Sequence, residues 1–253
     1  ILLFSLSCDV LAQYVSPPIK FYDKLQQAKT DSARIIVMMG IASNRNIHPD
    51  TILHYAHKAH DMASKLNSHT LYAQSLENVG SSYWVLRSYR RAVDWYFKQL
   101  QYATDKGLKN QVARAYYNIG WVKCVQNGSF KDRGYLLNAL KIFESMNDTV
   151  GILEVYNGIA GLYFGQSSID STYTDSANYY FRNLVYFSEH FRIKYDVVIH
   201  MNYASFLIKK RRYKEARNYL HRSRAVAAER QDSANLLTVL VGLDRVRILT
   251  DSV

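Results

Sequence analysis

The chain has 253 residues, 48% of them hydrophobic and only 3 of them proline, a balance that excludes intrinsic disorder and suits helices. Lysine and arginine number 32 against 21 aspartate and glutamate, a formal net charge of +11 that raises the question of an acidic partner. The two cysteines, Cys8 and Cys124, exclude a disulfide framework and a cysteine-based zinc site.

In chain order, residues 1–13 read as the tail of a secretory signal peptide, an apolar run with Val-Leu-Ala before Gln13. Two other readings compete there: Cys8 as a lipid anchor, although Ser5 stands where an aliphatic residue is wanted, and a first apolar helix of the fold. A helical domain is expected over 16–253. A short amphipathic helix covers Ile19 to Lys29. Thr30-Asp31-Ser32 is a helix-start signal. Helix–turn–helix units then follow over about 31–69, 70–109, 110–148, 149–194 and 195–232, with a partial sixth over 233–253. In the first unit the chain breaks at Asn44–Pro49, and Asp50 is the expected cap of the return helix. In the second, Lys106-Gly107 is the stop. The fourth carries a polar insertion, Gly-Gln-Ser-Ser-Ile-Asp-Ser-Thr-Tyr-Thr-Asp-Ser, before Ala177. After residue 13 no run of about 18 apolar residues is present, so nothing there spans a membrane.

The units repeat one pattern. A small residue recurs at Gly40, Gly80, Gly120, Ala160 and Ala204, a period near 40. A bulky residue follows one turn later: Tyr83, Tyr163, Leu207. The return helix starts with an anchor at Ile52, Ala92 or Ala216, and a packing residue stands four further on, at Ala56, Tyr96 or Leu220. These offsets put the anchors on one stripe of each helix, the stripe that a helix pair must bury. Self-similarity at this period predicts an all-α solenoid of stacked pairs.

Gly80, Tyr83, Tyr89, Ala92 and Tyr96, and again Ala204, Leu207, Tyr213, Ala216 and Leu220, resemble the tetratricopeptide repeat, here stretched from its usual 34 residues. That resemblance implies a right-handed superhelix of about five and a half pairs. It also implies that the first helices line an inner groove that binds a protein or peptide. The lead-in and first unit, with Ala-Leu-Lys-Ile-Phe-Glu-Ser-Met-Asn-Asp further on, resemble the exported sensor regions of bacterial histidine kinases and helix-turn-helix regulators. This implies a periplasmic sensory role, with the membrane reached only through a downstream segment. A stand-alone exported adaptor is the alternative. Self-association through the open last unit is a further expectation.

Asn78, Asn118 and Asn202 each stand two residues before a small anchor, and Asn157 lies beside the matching place in the fourth unit. Such a ladder can pair with an extended peptide backbone, or it can bond neighbouring helices. Arg34, Gln74, Glu77, Arg114, Tyr117, Trp121, Glu154 and Met201 vary along the same face. Tyr117 and Trp121 are candidates to anchor an apolar side chain, with Arg114 taking a carboxylate. His54, His57 and His60 with Asp61 share one helix without a second contributing segment, which predicts a polar outer face and no metal. Arg87, Arg90 and Arg91, and the stretch Lys209–Arg212 followed by Arg217, Arg222, Arg224 and Arg230, are candidates for an acidic partner, nucleic acid or a membrane surface, but no reading motif accompanies them, so a solvated face is expected. No phosphate-binding loop, nucleophile elbow or kinase motif is present, and the expectation is a binding module without cofactor rather than an enzyme.

Overall fold

A computed structural model describes residues 19–44, 47–127, 130–167, 170–191 and 196–251. The signal-peptide reading and Cys8 lie outside these residues. The architecture is all-α, with twelve α-helices and one 3-10 turn among the described residues. The chain divides at Asp148 into two compact units, each built from antiparallel helix pairs.

The N-terminal unit holds α1 (Ile19–Gln27), α2 (Asp31–Ala42), α3 (Pro49–Ala63), α4 (His69–Val85), α5 (Tyr89–Asp105), α6 (Lys109–Asn127) and α7 (Arg133–Ser145). The pairs are α2/α3, α4/α5 and α6/α7. Each return helix packs on the next first helix, and α2, α4 and α6 are neighbours. The C-terminal unit holds α8 (Thr149–Gln166), α9 (Tyr173–Phe191), α10 (Asp196–Lys209), α11 (Tyr213–Glu229) and α12 (Ser233–Asp251), paired α8/α9 and α10/α11, with α12 against α11.

Local chemistry sets the helix starts. Thr30 caps α2, its hydroxyl accepting from the Ala33 N–H at 3.1 Å. Ser68 does the same for α4 through the Leu71 N–H. The start of α3 differs from expectation: the cap is His48, whose Nδ1 accepts from the Asp50 N–H at 3.3 Å. Pro49 explains the shift, because its fixed φ and missing N–H suit the first helical position.

The stops follow one geometry. Arg87, Gly107, Asn147, Arg211 and Gln231 have φ between 53° and 66°. At each, the next N–H reaches back to a carbonyl five residues earlier: Ser88 to Tyr83, Leu108 to Ala103, Asp148 to Phe143, Arg212 to Leu207 and Asp232 to Ala227, all at 2.8–2.9 Å. This left-handed cap satisfies the orphan carbonyls of the last turn. Gly107 is the one expected from the sequence.

The small-residue stripe works as a close-approach device at two of its three glycines. A Cβ on Gly80 would fall 2.6 Å from the Tyr96 ring, and one on Gly120 would fall 2.9 Å from both the Leu136 backbone and the Tyr135 side chain. Gly40 is different, since a Cβ there meets only Phe21, at 3.8 Å. The return anchors Ile52, Ala56, Ala92, Tyr96, Ala216 and Leu220 are all buried. In the fourth unit Ala177 and Phe181, both 0% exposed, keep the same four-residue spacing beyond the insertion. Phe181, Tyr203 and Phe206 stack with centroids 5.5–6.0 Å apart and fill the C-terminal core.

Candidate functional site

The polar side chains of α4, α5 and α6 converge on one carboxylate. Glu77 of α4 accepts from Arg114 Nε of α6 at 2.9 and 3.0 Å, one bond to each oxygen. Arg114 Nη2 adds a 2.8 Å contact to Oε1. Asn118 Nδ2, one turn along α6, reaches the same oxygen at 3.3 Å, and Gln99 Nε2 of α5 reaches the other at 3.3 Å. The partner expected for Arg114 was a ligand carboxylate; in this structure Glu77 holds that place. The two residues are 37 apart, close to one repeat period, which sets them across neighbouring first helices. On the period of 40 set by Gly80 and Gly120, Glu77 aligns with Tyr117 rather than with Arg114, so the period alone does not reveal the pairing. Gln99 gave no signal either, because it stands on a return helix and is fully buried.

Beneath this clasp lies Tyr96. Its hydroxyl is 3.2 Å from Ser81 Oγ, and burial pushes the phenol well above its usual range.

The asparagine ladder has one common geometry. Asn78 Nδ2 of α4 donates to the Met39 carbonyl and to Ser43 Oγ, both at 3.1 Å, on and just after α2. Asn118 donates to Glu77. In the C-terminal unit Asn202 Nδ2 of α10 donates to Asn157 Oδ1 of α8 at 3.1 Å. Each amide therefore ties its helix to the preceding first helix, and the ladder holds the stack. Asn78 is also buried.

Tyr117, Asn118 and Trp121 stay half-exposed on α6, whereas Ile119, Gly120 and Val122 between and beside them are buried. The structure thus brings Glu77, Asn78, Arg114, Tyr117, Asn118 and Trp121 onto adjoining first helices of one unit. Asn157 and Asn202 belong to the other unit.

The histidines of α3 are not all on a polar outer face. His54 is exposed, but His57 Nε2 is 3.3 Å from Tyr83 Oη, and His60 Nδ1 is 3.1 Å from Ser75 Oγ. Both rings sit edge-on to Trp95. Burial lowers the His60 pKa, opposing Asp61 and reinforced by His57 and Lys98. No group of three metal-ligating side chains occurs among the described residues.

The basic stretch is largely engaged with its own unit. Lys209 Nζ lies 5.1 Å over the Phe164 ring. Lys210 Nζ donates to Thr174 Oγ1 at 2.8 Å and to the Ser167 carbonyl. Arg212 forks onto Glu215 with two 2.7 Å bonds. No described helix is long and apolar enough to cross a membrane.

No family model and no curated protein matches the sequence. Solved structures match the fold. Kinesin light chain TPR-like repeats from Podosopora anserina align with a TM-score of 0.55 at 12% identity, over 81% of this chain and 100% of that one. Aspartyl phosphate phosphatase F from Bacillus subtilis aligns at 0.57 and 17% identity, over 90% of this chain and 64% of that one. NprR in complex with its cognate peptide NprX aligns at 0.56 and 17%, over 96% of this chain and 66% of that one. The chain thus spans just under two thirds of the length of the last two. The fold is that of tetratricopeptide-like helical repeats.

Proposed function

We propose that this chain is a scaffold that binds a protein or peptide segment, and that the N-terminal unit takes the segment along α4 and α6. The observation that carries this reading is the half-exposed row Tyr117, Asn118 and Trp121 beside the Glu77–Arg114 pair. Partly buried aromatic side chains next to an oriented ion pair combine apolar area with directional polar groups, the usual make-up of a binding hot spot. The fold supports it too, since the solved NprR structure of like fold holds a peptide. Asn118 serves mainly to hold the surface in register. Tyr117 and Trp121 supply the contact.

The role we assign is sensory. The segment would bind outside the cytoplasm, in the exported part of a bacterial signal-transduction protein, and bias the packing of the helix pairs. Support for export is the signal-peptide pattern of residues 1–13, together with the resemblance to exported sensor regions. Alkaline phosphatase joined to the chain should be active in intact cells; an inactive fusion of normal abundance would count against export. For binding, affinity selection from a random heptapeptide library should enrich a sequence set on the wild type. Trp121→Ala should lose that set at unchanged helix content. Equal enrichment by both would count against the site.

A further inference from the structure

We propose that Glu77 is the anchor for a cationic side chain of the bound segment, and that Arg114 keeps its place until that side chain arrives. The inference rests on the reading that this face of α4 and α6 is the binding surface. It turns on an asymmetry within the pair. The Glu77 side chain is 13% exposed and that of Arg114 is 38% exposed. The carboxylate is also held by two further donors, Asn118 Nδ2 and Gln99 Nε2.

Two exchanges are conceivable for an incoming charge. An incoming carboxylate would take Arg114 and leave Glu77 with two neutral amides in a largely dry position. That exchange is the costlier of the two, because it strands the less accessible charge. An incoming cation reverses the situation. It replaces the guanidinium at Glu77, whose amide bonds stay in place. Arg114 carries its charge on a long flexible stem from a side already open to water, where it is readily solvated. The cheaper exchange selects a basic residue in the ligand. The carboxylate presents both oxygens to Arg114, which is the arrangement an arginine fork reproduces better than a lysine ammonium. Arginine should therefore be preferred to lysine.

The test uses the full chain and two single-residue probes, Nα-acetyl-arginine amide and Nα-acetyl-glutamate amide, titrated at low salt by calorimetry. Arg114→Ala should bind the arginine probe at least tenfold more tightly than the wild type does. It should gain nothing for the glutamate probe. Arg114→Gln, which keeps an amide toward Glu77, should gain in the same direction. The double variant Glu77→Gln, Arg114→Ala should lose the gain. No gain in either single variant, or a gain for the glutamate probe, overturns the proposal. A single residue does not need a groove. A failed library selection would therefore overturn the peptide reading and leave this result standing.

Discussion

Gly120 lies so close to Leu136 that a Cβ on it would fall 2.9 Å from the Leu136 backbone nitrogen. Backbone cannot step aside as a side chain can, so this contact fixes how near α6 and α7 approach. Gly120→Ala should destabilise the chain by about 1–3 kcal/mol through overpacking. Gly80→Ala meets the Tyr96 ring first, and that ring is buried and hydrogen-bonded to Ser81, so a cost of similar sign is expected. Gly40→Ala should stabilise by about 0.5–1 kcal/mol, since it removes a helical glycine without a clash. Urea titration of the three variants gives the order directly.

Arg211 holds a left-handed backbone, φ 60°, at the end of α10. An L side chain pays roughly 1 kcal/mol there, and glycine does not. Arg211→Gly should raise stability by about 0.5–1 kcal/mol. Asn147→Gly should raise it less, because asparagine tolerates this region better. Thermal melts of the two variants test the difference.

His60 should make stability depend on pH. Its folded-state pKa is lowered from 6.5, chiefly by burial against Ser75, Tyr72 and Trp95. The unfolded chain then binds the proton more readily than the folded one. The stabilising difference is fully present above pH 6.5 and is lost as pH falls below 6.5 through the folded value. His60→Gln should flatten the decline in melting temperature between pH 7 and pH 5. An unchanged slope would show that this ring is not the titrating group. Asp61, His57 and Lys98 also act on it.

Cys124 is fully buried on α6, and burial pushes its thiol up to about 11. Thiolate is the reactive form, so the folded chain should resist alkylation at neutral pH. Labelling with a thiol reagent should follow unfolding, with little reaction in native buffer.

The sequence showed the repeat because its signals are local and periodic. Gly80, Gly120, Ala92 and Ala216 recur at fixed offsets, and a helix pair must bury that stripe wherever it occurs. The stops at Arg87 and Arg211 were illegible for an equally physical reason: arginine seldom takes a left-handed backbone, and only the six-residue hydrogen bond reveals it. Asp50 is the stronger cap of α3 by residue type, but Pro49 sets the start and leaves the cap to His48. At the site, the first-helix positions of Asn78, Asn118 and Asn202 were readable, but their partners were not. The Met39 carbonyl lies a whole repeat away from Asn78. Backbone acceptors leave no trace in residue type. By residue type Arg114 suits a ligand acid, and only the folded neighbourhood shows Glu77 facing it.

Binding of a protein or peptide segment along α4 and α6 can be read out by photo-crosslinking. A benzoylphenylalanine placed at Tyr117 is irradiated with the random heptapeptide library. The same group at Tyr179, 61% exposed on α9 of the other unit, serves as the control. Adducts enriched in a defined sequence set at position 117, with none at 179, are the expected result. Equal and unselective adducts at both positions would contradict the account.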